Sequence, residues 1–124
     1  MFTEDIQIML YVDDVKKAVA FWQALDFIVI EEQKVDGTSV VELAATKEAK
    51  AHFVLYDREF IESNSPEVAT NSPSLMFFSQ DIFSLYKKIE KLAVPLGEMI
   101  SLGEREVFNF ADPDGNYFAV SSIK

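Results

Sequence analysis

Two segments of this chain, Ile8 to Val29 and Leu75 to Leu96, carry one pattern at a constant spacing of 67 residues. Met9 stands against Met76, Asp14 against Asp81 and Leu25 against Leu92, without a gap. Between these identities Ile8/Leu75, Leu10/Phe77, Tyr11/Phe78, Val15/Ile82 and Phe27/Val94 all stay apolar. A repeat of this kind is one supersecondary unit used twice, so the architecture follows from what a single copy can form. With 124 residues, 49% of them hydrophobic, the chain can fill one ordinary core but not two independent ones. The two copies are therefore expected to share one domain.

Each copy reads as one strand, one helix and three strands. Ile6 to Val12 is a short apolar run rich in β-branched residues, and Asp13-Asp14 after it supplies a helix cap. Val15, Ala18, Val19, Trp22 and Leu25 then recur at helical spacing, with Lys16 and Lys17 outside. Phe27 to Glu32 and Ser39 to Ala44 read as strands joined by the turn signal Asp36-Gly37, and Ala51 to Tyr56 as the fourth strand. The Ser- and Asn-rich stretch from Arg58, with Pro66 and Pro73, reads as the connection.

The cycle restarts with a strand at Leu75 to Ser79 and an Asp81-capped helix whose inner face is Ile82, Leu85, Tyr86, Ile89 and Leu92. Strands are expected over Val94 to Ile100, Glu106 to Phe110 and Tyr117 to Ser122. The last two are joined by a tight turn, Asp112-Pro113-Asp114-Gly115-Asn116. The expected fold class is α+β, with module one over about 5–57, a linker over about 58–73 and module two over about 74–124.

Composition narrows the function. The formal charge of −10, from 21 acids against 11 bases, repels phosphate backbones and leaves a nucleic-acid partner without counterion release to drive binding. No apolar run approaches the roughly 20 residues that cross a bilayer. The start, MFTEDIQIML, has acids where a secretion signal has bases. A soluble, cytoplasmic protein with neither nucleic-acid nor membrane partner is expected. Cysteine is absent and His52 is the only imidazole, which excludes disulfides, thiol nucleophiles, thiolate metal sites and any site needing two histidines from one chain.

A duplicated βαβββ unit with an Asp-capped helix, Phe21-Trp22 near that helix's end and a second copy closing on DPDGNYFAV resembles the vicinal oxygen chelate superfamily. That group includes glyoxalase I, bleomycin resistance proteins, fosfomycin resistance proteins and extradiol dioxygenases. The resemblance implies that the modules curl their mixed sheets into a cup. It also implies, in the metal enzymes, one inward ligand on the first and fourth strand of each module, holding a Lewis-acidic ion. Carried onto this chain, those positions fall on Gln7, Val54, Ser74 and Ala119. Only Gln7 offers a side chain of a kind the family uses, so no metal and no cofactor are expected. A register shift of two would instead bring His52 to the fourth-strand position.

Strand alternation then gives the candidate ligand-binding residues, because residues i and i+2 share a face. Gln7, Met9 and Tyr11 share one face of the first strand, His52 and Tyr56 one face of the fourth, and Ser74, Met76 and Phe78 one face of the fifth. Tyr117 follows on the last strand, and Glu42, Arg105 and Asn109 on the strands between. Glu42 and Arg105 suit either a zwitterionic ligand or a solvated rim pair.

The expected function is metal-independent binding of a small organic compound, such as a cationic aromatic one, for sequestration or sensing. That is the manner of antibiotic resistance in bleomycin-binding relatives, and a homodimer is expected. The alternatives are a metal-dependent lyase, isomerase or dioxygenase with non-standard ligands, and a module with no ligand at all.

Overall fold

The computed structural model describes residues 1–64 and 74–123, and the chain separates into two compact units, Met1–Pro73 and Ser74–Lys124. In the first, β1 (Ile6–Val12), β2 (Ile28–Val35), β3 (Thr38–Ala44) and β4 (Ala51–Asp57) form a mixed sheet in the order β1-β4-β3-β2. Only β1 and β4 run parallel, and α1 (Val15–Ala24) crosses between β1 and β2. The second unit repeats this with β5 (Met76–Ser79), β6 (Ile100–Leu102), β7 (Arg105–Ala111) and β8 (Tyr117–Ser122) in the order β5-β8-β7-β6. Its helix follows the same way, between β5 and β6. The fold is α+β, as the sequence implies.

The repeat holds at the level of individual backbone positions. Asp14 caps α1 by accepting from Lys17 N at 3.1 Å, and Asp81 caps the second unit's helix, Ile82–Glu90, by accepting from Ser84 N at 3.2 Å. Both helices exit through a residue of positive φ at matching positions, Asp26 (71°) and Ala93 (55°). At Asp26 this conformation belongs to a local helix-ending motif, in which Phe27 N and Asp26 N donate to the Trp22 and Gln23 carbonyls at 3.0 and 2.9 Å.

Each core lies between helix and sheet. In unit one, Trp22 meets Phe21, Phe27 and Phe53 at ring separations of 5.2, 4.9 and 5.2 Å, over the fully buried Leu10, Leu43 and Leu55. In unit two, Phe118 sits between Phe77 and Phe110 at 5.7 and 5.5 Å. The opposite face of each sheet, the open face, is turned away from α1 and from the second unit's helix.

The structure corrects four expectations. Arg58–Asn64, expected as linker, is a short helix, α2. Asp57 accepts from Phe60 N at 3.1 Å to start it, and Arg58 is tied to the Tyr11 carbonyl at 2.8 Å, so the segment folds onto unit one. The rest of the expected linker, 65–73, lies outside the described residues.

The expected strand over Val94 to Ile100 is reduced to an isolated Leu96–Phe110 bridge and β6. Pro95 has no N–H to give a ladder, although its carbonyl still accepts from Ala111 N at 3.0 Å. The second unit's helix, α3 hereafter, exposes Phe83 and only half-buries Leu85 and Tyr86 of its expected inner face. On α1, Phe21 is buried in place of Val19, which is half-exposed.

The turn read as DPDGN is a buried polar knot. Asp112, 1% exposed, accepts from Asp114 N, Asn116 N and Asn116 Nδ2 at 2.9–3.0 Å. Gly115 there has φ 82°, and Asp36-Gly37 has positive φ at both residues, as a tight hairpin between twisted strands requires. Among the described residues no helix is long and apolar enough to cross a membrane.

Candidate functional site

The open face of unit one gathers most of its candidate residues. Gln7, Glu42, Val54 and Tyr56 line one hollow of about 140 Å³, together with Glu31, Gln33 and Val40. Tyr11 lies beside Tyr56 with ring centroids 6.3 Å apart, and Met9 is exposed on the same strand face.

At the centre is an ordered polar chain. His52 Nδ1 lies 2.6 Å from Glu42 Oε2, and Gln7 Nε2 donates to the same oxygen at 3.4 Å. The other ring nitrogen, Nε2, donates to the Ala49 carbonyl at 2.9 Å. Both ring nitrogens thus face acceptors, which suits the doubly protonated imidazolium. The hydrogen bond to Glu42 is the main cause that raises the His52 pKa above its ordinary 6.5. Partial burial opposes it, while the Ala49 carbonyl and the charges of Glu42 and Asp5 reinforce it.

Glu31 and Gln33 are missing from the residues read off the sequence, and the cause is local. A β-bulge between Val29 and Glu31 breaks the alternation of β2. Unbroken alternation would put Val29, Glu31 and Gln33 on one face. The bulge sends Val29, Glu32 and Lys34 to the helix side and Glu31 and Gln33 to the open face. Glu31 then lies directly across from Glu42 in the ladder. It accepts a hydrogen bond from Gln33 Nε2. The bulge leaves no signature in residue types, so only the pairing reveals it.

Unit two presents a different open face. Phe78, 58% exposed, lies under the Arg105 guanidinium at 5.7 Å from ring centroid to Cζ. Met76, Ile100, Leu102 and Tyr117 are also exposed, and Ser74 and Asn109 are exposed polar neighbours. Arg105 is engaged with Phe78 and Glu42 with His52, each inside its own unit.

The strand registers show which positions of the two modules correspond to each other. Met9 pairs with Val54 in the β1–β4 ladder, and Met76 pairs with Ala119 in the β5–β8 ladder. Val54, not His52, is therefore the counterpart of Ala119, and neither carries a donor atom. Gln7 spends its amide N–H on Glu42, and Ser74 is a lone hydroxyl. Among the described residues no three His, Cys, Asp or Glu side chains converge as metal ligands do. Divalent ions are held by converging imidazoles, carboxylates or thiolates, so this donor set does not fit one.

Comparison with known proteins adds the following. The model of the glyoxalase/bleomycin resistance protein/dioxygenase superfamily matches residues 6–120. No curated protein matches the chain. Among solved structures, TnmS3, an antibiotic binding protein from Streptomyces sp. CB03234, superposes with a TM-score of 0.80 at 20% identity, covering 98% of this chain and 96% of that one. A superfamily member from Sphaerobacter thermophilus DSM 20745 gives 0.77 at 22% identity, covering 98% of both chains. Lactoylglutathione lyase from Agrobacterium tumefaciens gives 0.70 at 20%, covering 95% and 92%. A binding protein and an enzyme thus share this fold, and the fold alone does not choose between them.

Proposed function

Because the chain belongs to the glyoxalase/bleomycin resistance protein/dioxygenase superfamily, we propose that it is a metal-independent binding protein for a small organic compound. The ligand proposed is cationic and aromatic, and the role is sequestration or sensing. The observation that carries this reading is the open face of unit one. Where a metal enzyme of the family would present a donor it has Val54, and beside it stand Glu31, Glu42, Gln7 and Tyr56.

Two carboxylates across one ladder, one of them hydrogen-bonded to His52, leave net negative charge beside an aromatic pair, Tyr11 and Tyr56. Such a surface attracts a cation and offers ring faces for it to stack on. Unit two by itself exposes the aromatics Phe78 and Tyr117, with Met76 and the polar Arg105, Asn109 and Ser74 on the same face. The antibiotic-binding neighbour supports binding of a small organic compound. In this reading the protein works in the cytoplasm as a homodimer.

A thermal-shift and calorimetric screen of metal-free bleomycin and simpler cationic aromatics, run in EDTA, tests the proposal. At least one compound should raise Tm in a saturable way. Stabilisation by none of them, or only after zinc, nickel or manganese is restored, would contradict it.

A further inference from the structure

A second cleft, of about 530 Å³, opens on the other side of unit one's sheet, between α1 and the outer strands β2 and β3. It shares no lining residue with the hollow on the open face. Its walls are Val19, Val29 and Val41, and Lys16, Lys34 and Glu32 stand at its rim. The volume falls in the usual range of small-molecule pockets, about 300–1,000 Å³.

The repeat supplies an internal control for this cleft. Val19 and Tyr86 occupy the same place on helices that start at Val15 and Ile82 after equivalent Asp caps. Val41 pairs with Leu55, which pairs with Leu10; Phe108 pairs with Val120, which pairs with Phe77. Val41 and Phe108 are therefore equivalent through two ladders. Val29, opposite Leu43, likewise matches Leu96, opposite Phe110.

In unit two the place of Val19 and Val41 is filled by the chain itself, and the cleft of about 420 Å³ that remains there lies towards Ile82, Phe83 and Glu106. Tyr86 meets Phe108 edge-on at 5.0 Å and its hydroxyl donates to the Gly97 carbonyl at 2.8 Å. Unit one has replaced both rings of that pair with valines. The bulge that turns Val29, Glu32 and Lys34 to this side lies at Ile30, the counterpart of Gly97.

We propose that the cleft between α1 and β2–β3 is a second binding site, whose ligand is a small aromatic molecule bearing an acidic group. The ring takes the place that Tyr86 and Phe108 fill in unit two. The acidic group follows from the rim, where two lysines outnumber one glutamate in a chain that is otherwise strongly acidic. Lys34 Nζ is held there by Ser39 Oγ at 3.0 Å.

The test uses 8-anilinonaphthalene-1-sulfonate as the anionic aromatic probe and N-phenyl-1-naphthylamine as its neutral counterpart, followed by amide NMR. Saturable binding of the sulfonate is expected, with shifts centred on Val19, Val29 and Val41. Val19→Tyr, which copies unit two, should weaken it at least tenfold. The surface variant Lys16→Glu/Lys34→Glu leaves the core untouched and should weaken the sulfonate at least tenfold but the neutral probe less than threefold. Shifts confined to the open faces, or undiminished sulfonate binding in either variant, would overturn the proposal. So would a Val19→Tyr protein that changes sedimenting mass while still binding the probe, since the cleft would then be covered by a second copy.

Discussion

Modules one and two have the same strand order, the same helix caps and the same left-handed exits, yet their open faces differ in kind. Through the ladders, Gln7 corresponds to Ser74, Glu42 to Asn109, His52 to Tyr117 and Gln33 to Ile100. Module one has a charged chain centred on Glu42, and module two has neutral and apolar residues with one cation–π contact. The positions buried under the helices, such as Leu10, Leu43 and Leu55 in module one and Phe108, Phe118 and Val120 in module two, stay apolar because they must pack. The open faces do not pack against these helices, and in the proposed reading their residue types follow ligand chemistry.

The largest effect that probes this comparison lies in the turns. Asp112→Ala would strand two buried donors and one part-buried one and should cost about 3 kcal/mol, because hydrogen bonds to a charged acceptor are worth roughly 1.5–3 kcal/mol each and their losses overlap. Module one makes its corresponding connection with exposed residues, and Lys47→Ala there should stay within about 0.5 kcal/mol. Urea unfolding of both variants checks the pair; equal losses would deny that the two turns differ.

Ligand affinity comes next. For a cationic ligand found in the screen, Glu42→Gln should weaken binding about tenfold, or about 1.4 kcal/mol. The matching Asn109→Ala in module two should change it less than threefold. Calorimetry that reversed this order would move the cation-recognising face to module two.

A smaller effect depends on pH. Since the folded His52 pKa lies above its ordinary 6.5, its pairing contributes stability that is fully present below 6.5 and is lost as pH rises through the raised value. Cation affinity should move the other way, increasing over the same interval as Glu42 loses its imidazolium partner. As the chain has one histidine, its proton NMR titration is unambiguous. A midpoint at or below 6.5, or a pH profile unchanged in His52→Gln, would refute the pairing. The least effect is expected from Arg105→Ala, within about 1 kcal/mol, because its contact with Phe78 is exposed.

Much of the fold is legible in the residues because repeat, caps and alternation agree with one another. Asp14, Asp81 and the turn at Asp36-Gly37 each carry a local signal strong enough to survive tertiary context. The helix at Arg58–Asn64 is not legible, since Ser, Asn and Pro after it dominate the local composition and its anchor, Arg58 on the Tyr11 carbonyl, spans distant positions. On the open face, Gln7, Glu42, His52 and Tyr56 follow from period-two alternation. Glu31 and Gln33 do not, because the bulge at Ile30 reverses the faces of β2 beyond it.

The central claim is that module one's open face recognises its ligand without a metal. Amide NMR of the full chain in EDTA, titrated with the cationic aromatic panel, addresses it most directly. Saturable shifts clustered on Gln7, Glu42, His52 and Tyr56, unchanged when zinc, nickel or manganese is supplied, are the predicted result. Shifts that arise only with a stoichiometric metal, or that spare those four residues, would contradict it.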